Sequence, residues 1–98
     1  MVTTAWVLTE VGDALSAPEN RPAFLELLGL LQDSPDARIL GPTDELFKRG
    51  IKLFRQRMDK EWSLTDCISF VVMNDERVTD ALTGDRHFEQ AGFCALLK

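Results

Sequence analysis

Three carboxylates in this chain stand where they could do more than face water. Glu10 falls in "TTAWVLTEVGDALS", Asp66 in "SLTDCISFVVM" and Asp85 in "ALTGDRHF". On a helix, the i−4, i−3 and i+4 neighbours of Glu10 are Trp6, Val7 and Ala14, so one carboxylate sits in an otherwise apolar patch. An unpaired charge there is costly unless a cation, an arginine or water meets it; the alternative is an edge position from which the carboxylate reaches solvent. Ser63-Leu64-Thr65-Asp66 has the form of a capping box, with a short acid in place of Glu or Gln. An acid in the first turn also suits the positive end of the helix dipole. Capping and metal ligation are compatible, because the first turn of a buried helix holds its carboxylate rigidly. Asp85 follows an apolar run and a Gly turn, where open α/β sheets bind ligands beyond the carboxyl ends of their strands. A turn Asp bonding to its own backbone is the plain alternative.

The rest of the chain offers little other chemistry. It contains no CxxC, HExxH, GxGxxG or phosphate-loop pattern. His87, beside Phe88, reads as a packed, hydrogen-bonded histidine and is given no catalytic role. What remains is carboxylate chemistry, and oxygen ligands select hard cations such as Mg²⁺ or Mn²⁺. The cations gather in one segment: Lys48, Arg49, Lys52, Arg55, Arg57 and Lys60. Most of them lie opposite an apolar stripe, either as a solvated helix face or as a surface that contacts phosphates.

The elements that would carry these residues follow from periodicity. Residues 3–16 read as a helix capped by Thr3 or Thr4, with Leu8, Val11 and Leu15 on one face and Trp6, Val7, Ala14 and Ala17 on the other, so both sides should be buried. Residues 19–35 read as a second helix, with Asn20 as N-cap, Pro22 in the first turn and Ser34-Pro35 as its stop. A short strand is expected at 37–40. A third helix covers 43–60, capped by Thr43 and opened by Asp44 and Glu45, with Leu46, Phe47, Ile51, Phe54 and Met58 along one face. The fourth, 63–74, is apolar nearly all round. Strands are expected at 78–83 and 93–98, with a turn and one helical turn at 84–92. Helices alternating with short apolar strands predict an α/β layer fold with a mostly parallel sheet.

The totals agree. Ninety-eight residues, 45% hydrophobic and 28% charged, suffice for a single domain over 1–98. No apolar run is long enough to span a bilayer and no signal-like start is present, and Cys67 and Cys94 lie in apolar runs as reduced core thiols would, so a cytoplasmic protein is expected. A net charge of −5 argues against nucleic-acid binding by bulk charge, yet suits an enzyme that gathers carboxylates around divalent ions.

In their order and spacing, "TTAWVLTEVGDAL", "SLTDCISFVVM" and "DALTGDRHFEQAGFCALL" resemble the PIN-domain family, in particular the VapC-like toxin ribonucleases. The resemblance implies a PIN-like three-layer α/β fold and a Mg²⁺- or Mn²⁺-dependent endoribonuclease, often dimeric and paired with an antitoxin. It assigns Glu10, Asp66 and Asp85 as metal-binding catalytic carboxylates, with Thr65 and Thr83 supporting them from behind. Lys48, Arg49, Lys52 and Arg55 would then bind RNA. The family opens with a strand bearing a further Asp, whereas this sequence starts about where the next helix begins. The resemblance therefore implies a partial domain lacking the family's first strand, with impaired metal binding. Such a chain would be a truncated copy, a split half completed by an N-terminal fragment, a product of a displaced start, or one member of a dimer that fills the gap. Its alternative role is a non-catalytic protein-interaction module.

Overall fold

The computed structural model describes residues 2–77 and the backbone of two short strands, Asp80–Ala81 and Cys94–Ala95. The chain divides into two compact units, Met1–Pro42 and Thr43–Lys98.

The first unit runs strand, helix, helix, strand: β1 (Val2–Thr4), α1 (Ala5–Ala14), α2 (Arg21–Asp33) and β2 (Arg38–Leu40). β1 and β2 pair in parallel, with Val2 opposite Arg38, Thr3 opposite Ile39 and Thr4 opposite Leu40. The parallel return explains why two helices intervene, since parallel strands need a crossover connection. Residues 2–4 correct the expected helix start. Three β-branched residues in a row favour extended backbone, and they pair with β2 before the helix begins. Thr4 closes the strand and also caps α1: its backbone is extended and its Oγ1 accepts from Val7 N at 3.2 Å. Only Leu8 of α1 is fully buried; Trp6, Val7 and Val11 are half-buried and Ala14 is exposed, so the two-sided burial expected for this helix is incomplete. Gly12 lies against the Phe24 ring, where a Cβ would stand 3.2 Å from the ring edge. On α2, Pro22 occupies the first turn as expected, but Asn20 has αR backbone and makes no side-chain cap.

The second unit is built on α3 (Asp44–Gln56) and α4 (Leu64–Asp75), packed against each other. Thr43 caps α3, its Oγ1 accepting from Leu46 N at 3.2 Å, and Asp44 and Glu45 fill the first turn. The helix ends at Gln56, four residues before the expected end. Its orientation also differs from the apolar-stripe reading. Of the expected stripe, Leu46 and Ile51 are half-buried but Phe47, Phe54 and Met58 are exposed, whereas Gly50 is buried and Leu53 half-buried. A glycine wins the interior because it lets α4 approach: a Cβ on Gly50 would run into Ile68 Cγ1 and stand 3.4 Å from Ile68 Cα. α4 matches its expected span within one residue and buries Cys67, Ile68, Phe70, Val71 and Val72. Trp62, Cys67 and Phe70 form the core cluster, with Leu53 and Met73 against it. Trp62 and Phe70 meet edge to face at 5.0 Å, and the Arg57 guanidinium lies 5.0 Å over the Trp62 ring. β3 (Asp80–Ala81) and β4 (Cys94–Ala95) pair in parallel inside the two runs expected as strands. The remainder of those runs, and the turn with its helical turn, lie outside the described residues. Among the described residues no helix is long and apolar enough to cross a membrane.

Candidate functional site

Asp66 is the best-defined of the candidate carboxylates. Its backbone N–H donates to Ser63 Oγ at 3.0 Å, and Ser63 N–H donates to Asp66 Oδ2 at 3.1 Å. The capping box is therefore complete, with Asp serving as its acid. The side chain is half-buried, and the next residue, Cys67, is fully buried. Burial pushes the Cys67 thiol up from its ordinary value, and the Asp66 charge adds to the shift. That thiol stays protonated and unreactive, as its place in the core requires. The cap engages one Asp66 carboxylate oxygen, Oδ2. Thr65, half-buried, precedes Asp66 in the same turn.

Glu10 is the sixth residue of α1 and is exposed, so its carboxylate reaches water, as the edge alternative has it. Asp85, Thr83 and His87 lie outside the described residues. Asp66 has the donor chemistry for Mg²⁺ or Mn²⁺: a hard oxygen ligand whose carboxylate accepts one hydrogen bond, from Ser63 N–H. Among the described residues no group of three potential ligands forms.

The cations on α3 divide. Arg49 grips Asp75 through both guanidinium nitrogens, at 2.6 and 2.7 Å. This pair raises the arginine and holds the Asp75 carboxyl below the usual carboxylate range, chiefly by that hydrogen bond. Arg57 is tied to Asp59 at 3.1 and 3.2 Å, and Lys60 reaches Asp59 at 4.0 Å. Lys48, Lys52 and Arg55 are exposed, and no ion pair with another described residue holds them. Sequence reading grouped Arg49 with them. The signal for its different fate was Asp75, an acid in the last turn of an apolar helix, where the dipole disfavours it and a cation is wanted.

No protein-family model matches the chain, and no curated protein sequence matches it. A solved structure does: VapC20 of Mycobacterium tuberculosis, described as a toxin that cleaves the sarcin-ricin loop. The likeness has a TM-score of 0.84 at 24% sequence identity, and covers 97% of this chain and 72% of VapC20. The chain thus has the PIN-like α/β fold that its motifs imply.

Proposed function

We propose that this chain is a metal-dependent endoribonuclease of the VapC toxin type, with Asp66, Asp85 and Glu10 as its metal-binding carboxylates. The observation that carries the reading is the likeness to VapC20 along nearly the whole chain. The capping box supports it, since a ligand must be held in place before the ion arrives. A bound Mg²⁺ or Mn²⁺ supplies Lewis-acid polarisation of a phosphodiester and a deprotonated water. The residues of the chain do the rest. Ser63 N–H orients Asp66 at the N-terminus of α4. Thr65 and Thr83 support the ligands. Lys48, Lys52 and Arg55 draw the RNA backbone toward the second unit, while Arg49, already on Asp75, contributes mainly by fixing α3 to α4. RNA, a cognate antitoxin, and a second copy or a complementing N-terminal segment are the partners of this reading, and the cytoplasm its setting.

The test is cleavage of RNA with Mn²⁺ by the full chain, compared with Asp66→Asn, Asp85→Asn and Glu10→Gln. Each substitution should abolish or sharply reduce cleavage. Undiminished cleavage in both aspartate variants would remove the proposed site. A second reading, a non-catalytic interaction module, is favoured by the exposed Phe47 and Phe54 on α3 and Met58 just beyond its end. It predicts no cleavage under any metal, together with a stable complex with another protein.

A further inference from the structure

The outward side of α3 has more structure than a solvated face requires. Arg49, Gly50 and Leu53 turn toward α4, and Leu46 is half-buried. Phe47, half-buried Ile51 and Phe54 form a second sector, continued by Met58 just beyond the helix end, with Phe47 42%, Phe54 48% and Met58 85% exposed. Lys48, Lys52 and Arg55 form a third, directly flanking the apolar one. Each exposed phenylalanine is followed by a cation, Phe47-Lys48 and Phe54-Arg55, and the two pairs are seven residues apart. Seven residues are two helical turns, so the pairs lie on the same side about 10.5 Å apart.

We infer that this face is a platform for an unpaired RNA segment, with bases stacking on Phe47 and Phe54 and phosphates held by Lys48, Lys52 and Arg55. Aromatic rings take a base of any identity, and a parallel row of cations tracks the backbone. Stacked neighbours are about 3.4 Å apart, so rings about 10.5 Å apart meet two separate bases. Charge selects an anionic partner over a second copy. Packing two α3 helices antiparallel on their apolar stripes would bring the two cationic flanks side by side. A duplex would keep its bases stacked inward and leave both rings without partners. The inference rests on the ribonuclease reading only for expecting RNA to be the anionic partner; binding at this face does not require the metal-binding carboxylates.

The experiment is fluorescence anisotropy of a labelled single-stranded oligouridine with the full chain in EDTA, where metal-dependent cleavage cannot occur. Phe47→Ala and Phe54→Ala should each weaken binding on the order of tenfold. Phe54→Leu should weaken it too, while Phe54→Trp should preserve or tighten it, because stacking rather than apolar contact is at stake. Lys52→Gln should lower the salt dependence by about 0.7 of a logarithmic unit per decade, the share of one phosphate on a single strand. The same oligonucleotide in a duplex should bind more weakly. Wild-type affinity in Phe47→Ala, Phe54→Ala and Phe54→Leu would overturn the inference. So would an apolar variant that leaves RNA binding intact but changes the mass measured by light scattering, which would assign the face to a protein partner. Loss of cleavage in Asp66→Asn with binding retained, or the reverse in the phenylalanine variants, separates this inference from the catalytic reading.

Discussion

At the residue scale, Asp66 carries two roles that substitution can separate. Asparagine keeps an oxygen able to accept from Ser63 N–H, so Asp66→Asn retains the capping geometry and loses the charge. The missing charge–dipole attraction is worth about 0.3–1 kcal/mol. Alanine loses the hydrogen bond as well, about 1 kcal/mol more. Urea unfolding should therefore rank wild type above Asp66→Asn above Asp66→Ala, while both variants lose cleavage equally. A cleavage loss that scaled with the stability loss would mean that Asp66 acts only through the helix. The Arg49–Asp75 pair gives a pH signature of its own. Because the arginine lowers the folded-state pKa of Asp75, the pair's contribution is present above the ordinary carboxylate pKa and is lost as pH falls through the folded value. Both side chains are about two-fifths exposed, at 41% and 43%, so solvent screening limits what the pair contributes. Asp75→Asn should cost about 0.5–1 kcal/mol at neutral pH. The gap from wild type should close as pH drops below about 4, near the ordinary carboxylate pKa. A gap independent of pH would point to packing instead.

At the element scale, Gly50 decides how α3 meets α4. Alanine is the better helix former by about 1 kcal/mol, so propensity alone predicts that Gly50→Ala stabilises. The structure predicts the opposite, because the new methyl meets Ile68, a fully buried residue. Overpacking of this kind costs about 1–3 kcal/mol, and the net effect should be destabilising. Ile68→Ala removes the obstruction, so Gly50→Ala should be neutral or favourable in that background. A double-mutant cycle reads the coupling directly, and additive effects would refute the close approach. The same contact shows what was legible in the sequence. Caps and apolar runs identified all four helices, since Thr43, Ser63 and Pro22 act through their immediate neighbours. The side of α3 that faces inward was only partly legible, because a stripe of Leu46, Phe47, Ile51, Phe54 and Met58 looks like a core face until a glycine's fit to Ile68 is known. β1 was missed for a related reason: Val2-Thr3-Thr4 becomes a strand only by pairing with β2, thirty-six residues away in register. Of the site, the capping box was visible as a local pattern; the Arg49–Asp75 pair, 26 residues apart, was not.

At the scale of the whole molecule, a TM-score of 0.84 at 24% identity shows how little sequence the fold itself demands. Backbone shape survives wherever apolar periodicity and caps do, so likeness of fold leaves open whether a metal is bound. A direct thermodynamic readout answers that. An ion that binds only the folded chain stabilises it by about 1.4 kcal/mol at ten times its Kd. For a domain of this size that corresponds to a rise in Tm of roughly 6–11 °C. Mn²⁺ should produce such a rise in the wild-type chain, and EDTA should reverse it. Asp66→Asn should show little or none of it. Ser63→Ala removes the cap but leaves the carboxylate; it should melt lower at baseline, by about 1 kcal/mol in stability, yet still respond to Mn²⁺. Equal rises in wild type and Asp66→Asn would mean that the ion binds elsewhere among the sixteen acids of a chain with net charge −5. Because the readout is stability rather than turnover, it tests the ligand role of Asp66 even in a chain that cleaves nothing.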